Sequence, residues 1–189
     1  KRYAEIFGRL FDEGIDFYKQ NIRVYISTND FGSTDEGLDS LAQHVGREIQ
    51  TENRKRFYSE IEEWIQAHEL MPNALEVLRE LKDRGAKVGI VSNASRFIEH
   101  MLSVHEIDAH VDFANMSHKV GYTKPDERAY TEALKTFGCK PEEITMIGDQ
   151  LAKDVEPPIA LGMRGILIDP EGKYPNYQGR VIKDLQELL

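Results

Sequence analysis

Cysteine is nearly absent: the chain has only Cys139, so no intrachain disulfide can form and packing must hold the fold. A lone thiol suits a reducing compartment, and a cytoplasmic location is expected. No apolar run approaches the roughly 20 residues that cross a bilayer, and no basic-then-apolar leader opens the chain. Positive charge is also scarce, with 24 Lys and Arg against 33 Asp and Glu, a net charge of −9. That excludes an extended nucleic-acid or anionic-membrane surface, which needs clustered cations, but it leaves room for a small anion in a local basic pocket. There is no Walker-type glycine–lysine loop and no GxGxxG fingerprint, so nucleoside-triphosphate and dinucleotide binding find no support.

What the chain does have is a change of rhythm near residue 70. Its 189 residues, 40% of them apolar, suffice for one sizeable core with a smaller companion. Up to about His68 the apolar residues fall three and four apart. Tyr3, Ile6, Phe7, Leu10 and Phe11 form one set, Leu38, Leu41, Val45 and Ile49 a second, Phe57, Ile61, Trp64 and Ile65 a third. Each lines one face of a helix. Residues 23–26 admit a short strand, and 29–35 read as loop. Arg54-Lys55-Arg56 precede Glu60, Glu62 and Glu63, which marks a solvated helix face rather than a cationic docking site.

From Met71 onward short β-branched runs alternate with helical stretches. Residues 87–91, 144–147 and 165–168 read as buried strands and 111–114 as a weaker one. Helices are expected from Pro72 to a Gly85 cap, over 95–105, from Pro125 (with Asp126 and Glu127 in the first turn) to Gly138, and over 181–189. Strands separated by helices in this way imply βαβ units and a parallel sheet.

Three short motifs stand at the ends of expected strands or in the loop just beyond, where an open α/β sheet binds ligands. They are Ser92-Asn93 after Val91, Lys124-Pro125 in the loop that begins near Asn115, and Gly148-Asp149 with Asp154 after Ile147. A hydroxyl to donate to a phosphoryl oxygen, an ammonium to offset transition-state charge and two carboxylates to offer magnesium hard oxygens are the parts that hold a phosphate beside a divalent cation. Taken singly, each has a plainer reading: a helix N-cap, a loop-to-helix junction, a turn. Together, in step at strand ends, they argue for a site. His100, His105 and His110 recur every five residues, off any one helical face, and read as surface positions.

The segments VGIVSNAS (88–95), GYTKPDERAY (121–130) and ITMIGDQLAKDVEPPIALGM (144–163) resemble the second, third and fourth motifs of the haloacid-dehalogenase superfamily, in its subgroup with a helical cap. The resemblance covers roughly residues 71–170. It implies an α/β fold: a Rossmann-like, parallel, three-layer core at 71–189 and a small all-helical cap domain at 1–70. It also implies roles. Ser92 would hydrogen-bond the transferring phosphoryl group, Asn93 would shape the pocket, and Lys124 would bridge that group and the nucleophile. Asp149 would be a magnesium ligand, and Asp154 either a second ligand or the group that positions Lys124 and metal-bound water. The activity implied is a Mg2+-dependent phosphatase working through an aspartyl-phosphate on a small phosphorylated metabolite, with no nucleic-acid or membrane partner and an open oligomeric state. A 2-haloacid dehalogenase-type hydrolase is the second reading. It needs no metal, so Gly148-Asp149 weighs against it. A catalytically silent module is the third.

The family's first motif, a strand ending in Asp-x-Asp that supplies the nucleophile and the general acid–base, has no counterpart here. Asp30-Phe31-Gly32-Ser33-Thr34 has Gly32 where the second aspartate belongs, and polar Ser27, Thr28 and Asn29 precede it. Asp12-Glu13-Gly14 lies on a helical pattern. The chain opens on Lys1, without Met, directly into a helix. The expectation is that the natural protein carries roughly 10–25 further residues with that strand, lying between the strands that end at Val91 and Ile147. The cap loops of such proteins carry no transferable code, which leaves the substrate unread. Residues 27–37 are a candidate for reaching the site or a plain surface turn.

Overall fold

The computed structural model describes every residue from Lys1 to Leu189. In chain order the elements are α1 (Arg2–Arg9), α2 (Ile15–Phe17), which runs through a π-helical turn (Tyr18–Ile22) into α3 (Arg23–Thr28), α4 (Thr34–Val45), α5 (Thr51–Gln66), α6 (Ala74–Asp83), β1 (Gly89–Ser92), α7 (Met101–Val104), β2 (Phe113–Met116) and α8 (Ser117–Val120). Then follow α9 (Glu127–Phe137), β3 (Thr145–Gly148), a π-helical turn (Leu151–Val155), α10 (Glu156–Ala160), β4 (Arg164–Ile168) and β5 (Arg180–Ile182). Two compact units result. One comprises Lys1–Glu69, Asn93–His105 and Met116–Gly121, the other Leu70–Ser92, Glu106–Asn115 and Tyr122–Leu189.

The first unit is helical because its apolar residues recur at helical spacing and have one core to fill. Ile6, Phe7 and Leu10 from α1, Leu38 and Leu41 from α4, and Phe57, Ile61 and Ile65 from α5 are all buried there. Each contributes about 1.5–3 kcal/mol by leaving water. Residues 23–26, open to a strand reading, are helix instead. Tyr18, Ile22 and Ile26 stand four apart and are buried, while Val24, which a strand would turn to the same face, is 68% exposed. The expected helix over 95–105 is broken into a 3-10 turn (Arg96–Ile98) and α7. The cause is Phe97, which packs its ring 5.1 Å from Phe7 and 5.5 Å from Phe57. That anchor carries 93–105 into the helical unit, beyond the segment ending at Glu69.

In the second unit β3, β4 and β5 form a parallel sheet in that order, with Gly148 opposite Leu167 and Ile168 opposite Ile182. β1 and β2 form a separate two-stranded sheet. A groove of about 960 Å³ runs along both, lined by residues 87–91 on one side and 143–149 on the other, with Phe113, Phe137 and Met163 among its apolar walls. Ile90, Val91, Met146 and Ile147, expected in buried strands, are only half-buried, because they border this groove.

Three termini of elements also differ. Pro72 lies in a turn and α6 starts at Ala74, behind Asn73 at φ 61°. α9 starts at Glu127, with Asp126 as its N-cap, accepting from the Arg128 amide at 2.9 Å. Residues 181–189 are not a helix. Val181 and Ile182 extend β5 beside β4, and a capping box between Asp184 and Glu187 opens a 3-10 turn, Leu185–Leu188.

Candidate active site

Three of the singled-out residues, Lys124, Asp149 and Asp154, line the groove. Their backbone placement follows from local sequence. β3 ends at Gly148, the chain turns through Asp149 and Gln150, and the π-helical turn brings Asp154 back over the strand end. Gly148 is required for that return. A Cβ there would stand 2.6 Å from Asp154 Cγ and 2.7 Å from its Oδ2, far inside van der Waals contact.

Asp154 is buried and both of its oxygens are used. Oδ1 accepts from Lys124 Nζ at 2.6 Å, and Oδ2 accepts from the Gln150 amide at 3.0 Å. Charge-assisted bonds of this length fix both side chains. Beneath them, the buried Tyr130 hydroxyl donates to the Lys153 carbonyl, tying α9 to the π-helical turn. Burial pushes the Tyr130 phenol well up, and the Asp154 and Asp126 charges add to it, so it stays a neutral donor. Asp149 is exposed. Lys173, from the loop after β4, has its ammonium held above the usual range, first by Glu171 and in lesser part by Asp149.

Not every expected residue joins them. Ser92 is the last residue of β1, whose run 87–91 lines the groove, but Ser92 itself is not among the lining residues. Asn93 opens the segment that packs with the helical unit. Asp30 follows helix α3 rather than a strand, so residues 30–34 do not supply a strand-end nucleophile. Among the histidines, His105 is half-buried and donates from Nε2 to the Ile65 carbonyl at 3.1 Å, contrary to the surface reading, while His100 does reach a surface carboxylate, Glu62. The fixing roles of Tyr130 and the Gln150 amide went unread. Only the tyrosine's place within the 121–130 segment hinted at the first.

No cluster of three or more metal-binding side chains is present. The donors present still suit a hard cation, since magnesium takes one or two carboxylates and fills its remaining positions with water and phosphate oxygens. With Asp154 engaged by Lys124, Asp149 is the carboxylate open to such an ion.

The groove thus holds a lysine–carboxylate pair and an exposed carboxylate behind a strand-end glycine. A family model for haloacid dehalogenase-like hydrolases matches residues 3–162, and the chain belongs to that family. It is 31% identical over 117 residues to human haloacid dehalogenase-like hydrolase domain-containing protein 3, a match covering 61% of this chain and 47% of that protein. It is 33% identical over 102 residues to a glyceraldehyde 3-phosphate phosphatase of Methanothermobacter thermautotrophicus, covering 53% and 45%. The chain thus spans about half the length of these relatives. In structure it resembles a HAD phosphatase from Thermococcus onnurineus, with a TM-score of 0.68, 19% identity and coverage of 100% and 90%. It also resembles a 2-haloacid dehalogenase from Pseudomonas syringae, with a TM-score of 0.64, 20% identity and coverage of 97% and 76%. The α/β, Rossmann-like fold is therefore that of the family, and it is shared by both chemistries.

Proposed function

We propose that this chain is the Lys124–Asp149–Asp154 part of a Mg2+-dependent phosphatase for small phosphate monoesters, completed by a strand carrying Asp-x-Asp. The observation that carries this is the 2.6 Å Lys124–Asp154 pair beside an exposed Asp149 in the groove's lining. Lys124, held by Asp154, places its ammonium where a phosphoryl group gathers negative charge. Asp149 would hold magnesium, which when bound screens the repulsion between an anionic ester and an attacking carboxylate. Ser92, at the end of β1, is assigned to the phosphoryl oxygens, Asn93 to the pocket wall. Phosphatases among the relatives support this over the dehalogenase reading, which leaves Asp149 without a task.

The groove supports the second half of the proposal. It is about 960 Å³ and is bordered by residues 87–91 of one sheet and 143–149 of the other, as a strand seated between them requires. The test is turnover of an aryl phosphate with saturating magnesium. The chain alone is expected to be inactive, and the chain joined to an Asp-x-Asp strand active. Asp149→Asn in the active form is expected to lose on the order of 100-fold. Near-normal turnover by that variant would overturn the assignment.

A further inference from the structure

His118 is 1% exposed, and its Nε2 has no hydrogen-bond partner. A buried ring nitrogen left idle calls for a reason. Its other nitrogen, Nδ1, lies 3.1 Å from the Ala94 carbonyl, which can only accept, so Nδ1 carries a proton. In a neutral ring Nε2 would then present a lone pair. What it faces are two carboxylates, Glu99 Oε2 at 3.5 Å and Asp30 Oδ1 at 3.8 Å. Glu99 cannot supply the missing proton. Burial works against its ionisation, yet the Lys119 hydrogen bond and the charges of Lys119, His118 and Arg96 hold its carboxyl below the usual range. The charged groups about the ring are Asp30 from the loop after α3, Arg96 and Glu99 from the turn before α7, and Lys119 from α8 itself.

We propose that His118 is a positioning residue acting as an imidazolium, whose charged Nε2 side lies between the Glu99 and Asp30 carboxylates and holds the turn that follows Ser92-Asn93 against the Asp30 loop by charge. Three donors converge on Ala94, two residues after Ser92: the Ser117 hydroxyl at 3.0 Å, the His118 amide at 3.3 Å and His118 Nδ1. Ser117 Oγ in turn accepts from the Ala94 amide. Ser95 is bonded to Tyr3 at 2.5 Å, and Arg96 donates to the Gly32 carbonyl at 3.1 Å. Four segments distant in sequence thus meet at this turn. The effect of this tie on turnover rests on the phosphatase reading, but the tie itself does not.

The test reads the tie directly. Nitrogen NMR of the His118 ring at neutral pH is expected to show both nitrogens protonated. In Asp30→Asn, which keeps the shape and removes the charge, amide exchange at 31–32 and 96–97, corrected for intrinsic rates, should lose about tenfold in protection, which is about 1.4 kcal/mol. Equal protection in the wild type and Asp30→Asn would overturn the proposal. So would an Nε2 without a proton at neutral pH. Neither readout depends on phosphatase activity.

Discussion

Lys124 donates to Asp154 across 2.6 Å, with only 12% and 5% of the two side chains exposed. Their mutual attraction offsets the cost of withdrawing two charges from water, so removing either partner alone strands the other. Asp154→Ala is expected to cost about 3–5 kcal/mol, or roughly 6–20 °C in Tm for a chain of this size. Lys124→Met with Asp154→Ala should recover a good part of that loss. Thermal unfolding of the three variants measures the coupling, and a strictly additive double variant would show that the pair is not a unit.

Gly148 and Asp154 make a second pair, defined by closeness rather than charge. With 2.6 Å between a built Cβ and Asp154 Cγ, Gly148→Ala must push Asp154 off Lys124. Overpacking of this kind costs about 1–3 kcal/mol. Urea unfolding should show a lower midpoint with an unchanged slope. A midpoint equal to the wild type would mean that the turn at 149–150 yields without strain.

Acid stability carries a signature at the start of α9. The Arg128 side chain and amide hold the Asp126 carboxyl down to about 2, from an ordinary value of 3.8. A carboxyl so lowered takes up its proton later in the folded chain than in the unfolded one. Its contribution is therefore complete above about pH 4 and drains away as pH falls toward 2. Between those values the Tm of the wild type should fall more steeply than that of Asp126→Asn, and parallel curves would remove Asp126 from the account.

The residues that announced themselves in the sequence were those whose chemistry is tied to local spacing. Gly148-Asp149 and Asp154 sit five and six positions apart at a strand end, and one turn suffices to bring them together. The helical unit was legible for the same reason, since Phe57, Ile61 and Ile65 show their common face within three turns. What depended on distant partners stayed hidden. Phe97 breaks its helix because of Phe7 and Phe57, and His118 matters because of Asp30 and Glu99, none of them near it in the chain. Residues 181–189 carry an apolar spacing that fits a helix, but β4 offers an open edge, and β5 takes it.

β1 and β3 each have a strand on one side only. In any strand alternate amides point to opposite sides, so a strand bonded on one side only leaves every second N–H and C=O facing away from its partner. β1 is bonded to β2, β3 is bonded to β4, and the free side of each borders the groove. Those amides should exchange with solvent far faster than the amides of β4, which has a neighbour on either side. An extended peptide of about six to eight residues, rich in Val, Ile and Leu and ending in Asp-x-Asp, should slow them, because both of its faces would be covered as in a central strand. At a hundred times its Kd it should add about 2.7 kcal/mol of stability, or roughly 5–11 °C in Tm. A peptide of the same composition with proline at its centre lacks one donor and cannot complete the ladder, so it should do neither. If both peptides raise Tm alike, binding is apolar and non-specific. If the groove-side amides of 88–91 and 145–148 are already as protected as those of β4, the two edges are satisfied within the chain and no strand is wanting there.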